Sequence, residues 1–597
     1  MEKTAITSLS RNSLRVLKLV WGWTPWLIIG ISSMLVLGTV AGYGRQAAQA
    51  FLVNELVRST SGVLSALLPL AVALFAVMFI LPQIFYAVRS YFSRIFRFRL
   101  EEKVDFLFFE KRGALDVAHW EDPKKNDLLT ITDENEHRLY NFAERFGDVL
   151  EGVVTVVIGA SILAAYKWWT LPLVVVATVP ELIVQLKYGK RVWGIFHGRA
   201  ETRRRYVAFM HHFYNVTRVI ELKLFQNISR FLDVIRGLYR SFQDEQIANE
   251  RRRFRYSFLA FIAGGAGIIA VALAFIGDVV AARLEIGTFI FIIGAAVSFR
   301  SAVSGLFNTL GSQYEDNRFV SEIFRLLDLP AVIQEPAHPE ILIASVTPEV
   351  VFENVSFSYP GATRRVLENV SFRIAPGEKI ALVGRNGAGK TTLVKLLCRF
   401  YDPTEGRITV GGYDLRTIDR ESWYAKLGIL FQEFAHYEVS VEEAIAMGRS
   451  SVPMSQERVR EAAQMSGATS FIEAWDDEYR QMLGRQFSGG VEPSLGQWQR
   501  LALARVFYRK AQVIVLDEPT ASIDAEGEAE IFERFEKLSA DQSVILISHR
   551  FSTVRKASKI IVLDEGHVVE AGSHEKLAKA PKGLYAHLFA LQAKGYE

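Results

Sequence analysis

Hydrophobic and polar positions divide the chain into two halves of different texture. Up to about residue 310, long runs that are apolar on every side alternate with charged stretches; from Val350 on, short apolar runs alternate with amphipathic ones. The long runs are Trp26–Tyr43, Leu64–Val88, Val149–Ala165, Leu171–Leu186, Phe258–Val279 and Thr288–Leu310. Each approaches the ~20 residues with which an α-helix crosses a bilayer, so six membrane-spanning helices are expected. Only Tyr166-Lys167-Trp168-Trp169-Thr170 separates the third from the fourth, and its aromatic rings and lysine suit a turn at headgroup level. The rival reading is one long buried hairpin. A signal peptide competes at the N-terminus, where Ala48-Gln49-Ala50 mimics a cleavage site, but the apolar run is long and more follow, which favours a retained span.

The connections after the second and fourth runs are about 60 and 70 residues long and rich in helix formers, so helices continuing out of the membrane and back are expected. Ala118-His119-Trp120-Glu121-Asp122-Pro123 lies at one turning point and Met210-His211-His212-Phe213-Tyr214-Asn215 near the other. Adjacent histidines do not share a helix face, so interdomain contact is preferred to metal binding at the second. Pro330, Pro336, Pro339 and Pro348 then mark a linker. Runs such as Val350–Phe352, Lys379–Val383, Val513–Leu516 and Val544–Ile547 read as strands between helical stretches. The expected division is an N-terminal segment at 1–20, a transmembrane domain at 21–328, a linker at 329–349 and a soluble α/β domain at 350–597.

The second half carries the clearest chemistry. Gly384-Arg385-Asn386-Gly387-Ala388-Gly389-Lys390-Thr391-Thr392 has the G-x-x-x-x-G-K-T pattern, with an apolar run before it and helical spacing after it. Glycines let backbone N–H groups curl around a polyphosphate, and a helix N-terminus adds its positive end. Lys390 can reach β- and γ-phosphates, and the Thr391 hydroxyl can hold Mg²⁺. Val513-Ile514-Val515-Leu516-Asp517-Glu518 is an apolar strand ending in two acids, expected beside the loop. Asp517 can then bind Mg²⁺ through water, and Glu518 can polarise an attacking water. The fold class expected is therefore multi-domain, a six-helix all-α transmembrane domain followed by an α/β P-loop NTPase domain.

Totals add limits. The 597 residues are 50% hydrophobic with a net charge of +4, so bulk charge gives no argument for nucleic acid. Mean hydropathy is +0.16, high for a soluble enzyme of this size. The single cysteine, Cys398, excludes an intrachain disulfide and a cysteine metal cluster. Charge also orients the membrane half. Arg89, Arg94, Arg97, Arg99, Lys103, Lys111 and Arg112 follow the second run, and Arg251, Arg252, Arg253 and Arg255 precede the fifth; the opposite loops hold only Arg45, Arg58, Lys167 and Arg283. The positive-inside tendency places the basic segments, the N-terminus and the α/β half in the cytoplasm, where ATP is. Arg251-Arg252-Arg253 beside a span reads as a topology signal rather than a nucleic-acid patch.

At this point the chain resembles the ABC transporter superfamily, specifically exporters with a membrane half and an ATPase half in one chain. The resemblance is motif-deep in the second half and architectural in the first. It implies that Tyr359, in Phe357-Ser358-Tyr359-Pro360, stacks on adenine. It implies that Gln432 touches Mg²⁺ and water, that Ala521-Ser522-Ile523-Asp524 links two sites, and that His549 contacts the γ-phosphate. Phe487-Ser488-Gly489-Gly490-Val491 mimics the family's signature, Leu-Ser-Gly-Gly-Gln. The run Gln499-Arg500-Leu501-Ala502-Leu503-Ala504-Arg505 that should follow the signature instead lies after Pro493-Ser494-Leu495-Gly496-Gln497. Ser494, Gly496 and Gln497 match; Pro493 and Leu495 depart, and Leu495 in place of glycine could slow hydrolysis. Gln486 and Phe487 replace parts of the usual Gly-Glu stretch, which puts the cross-talk loop in doubt.

The resemblance further implies that the signature of one subunit completes the phosphate site of another, so that the chain is a half-transporter. With Glu518 and His549 both present, a homodimer is allowed; a heterodimer stays open. The function implied is ATP-driven export or flipping of an amphipathic cargo (peptide, lipid or drug-like compound) in a lipid membrane, the bacterial inner membrane by its compact loops. A membrane-embedded sensor or gate is the alternative, and nucleic acid is not an expected partner. Glu181 and Arg300, each roughly 15–20 Å into a span by helix rise, either pair with one another or face a cargo cavity.

Overall fold

The computed structural model describes residues 2–59, 64–198, 200–343, 346–519, 533, 541–580 and 582–593. These form two compact units. One comprises Met1–Ala114 and Asp127–Leu329; the other comprises Leu115–Asn126 and Pro330–Glu597.

The first unit is helical. Its elements are α1 (Glu2–Trp23), α2 (Pro25–Arg58), α3 (Leu68–Gly113), then, past α4 (Val117–Glu121), α5 (Pro123–Asn135), which the unit boundary cuts, α6 (His137–Lys167), α7 (Thr170–Gly198), α8 (Ala200–His211), α9 (Val216–Leu224), α10 (Ile228–Val280) and α11 (Ile286–Leu327). Pro25 opens α2 at the first helical position, where a missing N–H costs nothing. α3 and α10 run 46 and 53 residues, far beyond a bilayer's thickness, so their basic ends continue as helix outside the apolar zone.

Among the described residues, α2, α3, α6, α10 and α11 are long and apolar enough to cross a membrane. The expected fourth span falls in α7, whose apolar part, Thr170–Val184, is shorter. In the five apolar windows at most 28% of residues are buried, so Val72, Val77, Phe79, Ile80 and their like form apolar belts on the surface. Such belts need a hydrocarbon solvent.

Packing between these helices uses small residues. A Cβ on Gly152 of α6 would lie 2.5 Å from Leu306 Cγ of α11, and one on Gly159 would lie 2.9 Å from Phe299 Cβ. Close backbone approach of this kind supplies the dispersion contacts that hold helices together where no hydrophobic effect acts between them. Leu163, Val174, Val271, Phe275, Ile292, Ala296 and Phe299 make the interior cluster. Polar ties add to this packing. Asn12 of α1 donates to Asn317 (2.9 Å) and Ser321 (2.8 Å) of α11, and Arg15 pairs with Asp328. Asp316, 3% exposed, is bracketed by Arg138 and Arg145. Arg300 Nη2 lies 3.8 Å from Glu181 Oε2, and the guanidinium occupies the space a Cβ on Gly264 would fill. His212 Nδ1 is 2.8 Å from Ala208 O and its ring packs on Phe231.

The second unit is α/β. A four-stranded antiparallel sheet has the order β2 (Leu367–Ile374), β1 (Val350–Phe357), β4 (Glu405–Val410), β5 (Tyr413–Asp414). A six-stranded sheet has the order β10 (His567–Gly572), β9 (Lys559–Asp564), β3 (Lys379–Gly384), β8 (Ser543–Ile547), β7 (Val513–Asp517), β6 (Leu427–Leu430), with all pairs parallel except β9–β10. β8 therefore separates β7 from the loop-bearing β3, one strand further than the sequence reading placed it. β7 is buried on both faces: Val513 and Val515 point to the cluster around α12 (Lys390–Leu397), and Ile514 and Leu516 to the cluster beneath α17 (Leu495–Arg509). That alternation fixes its register, because a one-residue slip would exchange the two faces. Cys398 closes α12 and is buried, which pushes its thiol up to about 12.

Candidate functional site

The parallel strands end together, and the loops at their C-terminal ends carry the chemistry, as open α/β sheets dispose it. β3 runs into Gly384, where an added Cβ would meet Leu563 O at 2.2 Å. Gly387 and Gly389 hold φ of 80° and 101°, a left-handed region that other residues enter at a cost. Arg385, Asn386 and Gly387 are exposed, Ala388 is buried, and Ala388 N–H donates to Arg385 O at 3.2 Å. Lys390, 8% exposed, donates to Gly384 O (2.8 Å) and Arg385 O (3.0 Å), so its ammonium sits inside the loop's curl. Burial lowers its pKa although Asp517 and Glu518 oppose this. Thr391 faces outward and Thr392 is buried.

Asp517 ends β7 at 3% exposure. Burial, then the Glu518 charge, raises its carboxyl to about 6, against the pull of Lys390 and a Thr391 hydrogen bond. Its Oδ2 is buried with no hydrogen-bond partner among the described residues. An orphaned carboxylate oxygen beside a threonine hydroxyl suits a hard cation that takes one or two protein ligands and completes its shell elsewhere.

Glu518 has φ 51°, a strained value for a side chain of its size. Its N–H donates to Ile547 O (2.9 Å), and its carbonyl accepts from Gln499 Nε2 (3.0 Å) of α17. These two bonds hold the residue in that conformation. The carboxylate is met by Gln432 Nε2 at 3.3 Å and His549 Nε2 at 3.4 Å. Burial, then Lys390, lowers the His549 pKa, which keeps the ring neutral at pH 7. Lys390, Gln432, Asp517, Glu518 and His549 thus gather at one end of the sheet.

Tyr359 follows β1. Its hydroxyl lies 3.1 Å from Thr392 Oγ1, and its ring meets Phe357 and Tyr401 edge-on at 5.0 and 5.3 Å. Ser494 is the N-cap of α17, in a capping box with Gln497: Ser494 Oγ accepts from Gln497 N–H (3.3 Å) and Gln497 Oε1 from Ser494 N–H (2.8 Å). Gly496 lies in the first turn, Leu495 is 57% exposed, and Pro493 is buried. Phe487–Val491 opens no helix; it is a turn with Gly489 at φ 73° and its carbonyl bound by Gln481. Ala521–Asp524 lies outside the described residues. The sequence reading missed Gln499 as a support for Glu518, and missed Lys395, Tyr401 and Glu121 near Tyr359. Gln499 and Glu121 lie in stretches the sequence singles out for other reasons, and nothing local marks the partner of either, or of Lys395 and Tyr401.

Comparison with known proteins agrees with this geometry. Residues 367–521 match the family described as ABC transporter. The subtilin transport ATP-binding protein SpaT of Bacillus subtilis is 28% identical over 500 residues, 82% of this chain and 80% of that protein. Residues 367–521 thus carry the ATPase domain of the ABC transporter family, and relatives named for transport resemble the chain along most of its length. The nisin transport ATP-binding protein NisT of Lactococcus lactis subsp. lactis is 27% identical over 541 residues, 89% of each chain. The structure of a bacterial Atm1-family ABC exporter with ATP bound shares the fold, with a TM-score of 0.80 at 23% identity over 95% of this chain and 98% of that one. The chain is an integral membrane protein whose nucleotide-binding domain hydrolyses ATP, coupled to transmembrane transport.

Proposed function

We propose that this exporter moves an amphipathic cargo (a peptide, lipid or drug-like compound) across or between the leaflets of a membrane. Six spans carry the cargo path, with Thr170–Val184 within the fourth. The basic residues beside the spans support a cytoplasmic N-terminus and ATPase unit. The chain acts as a dimer, a homodimer on the simplest reading. The observation that carries the proposal is Glu518, held between Gln432 and His549 on the strand end that also carries Asp517.

In this reading the γ-phosphate sits over Lys390 and the loop N–H groups, and the attacking water lies against Glu518. Glu518 polarises that water, neutral His549 contacts the γ-phosphate, and Gln432 orients both. Thr391, Gln432 and Asp517 would hold Mg²⁺, which when bound would offset phosphate charge. Ser494, Gly496 and Gln497 of a second copy close the site from outside. Their helix start presents N–H groups and a positive dipole end, and the exposed Leu495 is the departure that would weaken this closure. ATP stabilises the closed pair, hydrolysis releases it, and the difference in affinity between the membrane conformations is the coupling energy.

Transport is favoured over sensing or gating by two relatives named for transport that cover more than four-fifths of this chain. The Glu181–Arg300 contact supports a structural pair over a cargo site. The test is ATPase activity of the full chain in lipid vesicles against a panel of amphipathic peptides and lipids. Stimulation together with movement of the stimulating compound supports transport; stimulation without movement supports the gate.

A further inference from the structure

Residues Leu115–Asn126 lie in the sequence among membrane spans, yet they pack as part of the ATPase unit. Ala118 is buried in that unit's core, with Val117 against it. Two acids fasten the segment. Asp116 Oδ2 accepts from the N–H groups of Val332 (2.6 Å) and Ile333 (3.1 Å), and its Oδ1 from Arg420 (3.2 Å). Glu121 closes α4 and reaches elsewhere. Its Oε1 accepts from Lys395 Nζ at 2.5 Å, and its Oε2 from the Tyr401 hydroxyl at 2.6 Å.

Both partners of Glu121 touch Tyr359. Lys395 Nζ stands 5.4 Å from the Tyr359 ring centroid, within cation–π reach. The Tyr401 ring meets Tyr359 edge-on at 88°. Glu121 thus holds two of the groups that fix the Tyr359 ring, whose hydroxyl is tied in turn to Thr392 behind the phosphate loop. The Tyr401 phenol is pushed far above its usual range by burial and the Glu121 charge, so it stays a donor. Burial opposes the Lys395 charge, but Glu121 and Tyr359 together raise its pKa above the usual value, so it stays charged.

We infer that Glu121 is a positioning residue for the nucleotide base. Through Lys395 and Tyr401 it sets the Tyr359 ring, so the affinity for the adenine end of ATP depends on whether residues 115–126 are seated. This rests on the reading of Tyr359 as the base-stacking residue. A segment that joins two membrane helices then reports on base occupancy separately from the phosphates.

The test separates base from phosphates. Binding of ATP and of inorganic tripolyphosphate, both with Mg²⁺, is measured on the full chain by displacement of trinitrophenyl-ATP. Tyr359→Ala should weaken ATP about tenfold and leave tripolyphosphate unchanged, as loss of one base stack implies. Glu121→Gln, and separately Lys395→Met, should weaken ATP about threefold, again sparing tripolyphosphate, and should add nothing in the Tyr359→Ala background. If Tyr359→Ala weakens ATP and Glu121→Gln does not, the inference about Glu121 is overturned and the base reading stands. Equal weakening of both ligands by Glu121→Gln assigns it a general structural role and also overturns the inference. An unchanged ATP affinity in Tyr359→Ala removes the base reading itself.

Discussion

The two units of this chain solve opposite solvent problems. The helical unit leaves Val77 and Ile80 of α3 more than half exposed, while it keeps Asp316 3% exposed between two arginines. The ATPase unit buries every residue of β7 and β8 and sets its charged groups around the strand ends. In hydrocarbon an apolar surface costs nothing, and packing rests on close approach at residues such as Gly152. In water the buried apolar strands supply the stability, and strain such as that at Glu518 is tolerated because a firm scaffold surrounds it. The candidate chemistry is therefore concentrated in the water-facing unit, at the strand ends.

The largest expected effect falls on the ATPase side. Glu518→Gln should cut kcat about 10²–10⁴-fold, the range for losing a group that activates a nucleophile, with ATP binding retained. Steady-state ATPase rates and nucleotide binding check it together. A paired substitution sharpens the contrast of solvents. Val77→Arg, in an exposed apolar belt, should cost about 2.5–3.5 kcal/mol of membrane insertion. Val569→Arg, equally a surface valine at 50% exposure but on β10, should stay within about 0.5 kcal/mol of the parent. Insertion yield and Tm read the pair, and equal effects would break the comparison.

Asp517 supplies a pH signature. Its folded carboxyl is raised to about 6, so the nucleotide-free fold favours the protonated form, and the stability this brings is lost as pH rises through about 6. Mg²⁺ needs the ionised form. Mg²⁺-dependent ATP affinity should therefore fall as pH drops below about 6, by up to about tenfold per unit, and Asp517→Asn should abolish that dependence. A smaller effect on catalysis is expected at Gln499→Ala, which frees the Glu518 carbonyl. A fall in kcat of about fivefold with KM unchanged is predicted, the loss of one supporting hydrogen bond.

What the sequence made legible follows the range of the interactions. The loop from Gly384 to Thr392 is local: strand, glycines, lysine and helix all lie between Lys379 and Leu397. The apolar runs were legible because hydropathy over about twenty residues is a bulk property. The order β3–β8–β7 was not, since parallel strands are paired by long crossovers whose register leaves no local mark. Nor was the Glu121–Lys395 contact, which joins positions 274 residues apart. The sequence marks residues 1–20 only as an N-terminal segment, because the anchor Asn12 of α1 acquires meaning from Asn317, 305 positions on.

The claim that two chains build each ATP site has one direct test. Chains carrying Glu518→Gln and chains carrying Gly496→Asp, which sets a carboxylate against the partner's γ-phosphate, are assayed alone and after random mixing and co-reconstitution. Each alone should be inactive. The mixture should recover about a quarter of the parent ATPase activity, because half the dimers are mixed and each mixed dimer keeps one intact site. A mixture no more active than its components would contradict the composite site.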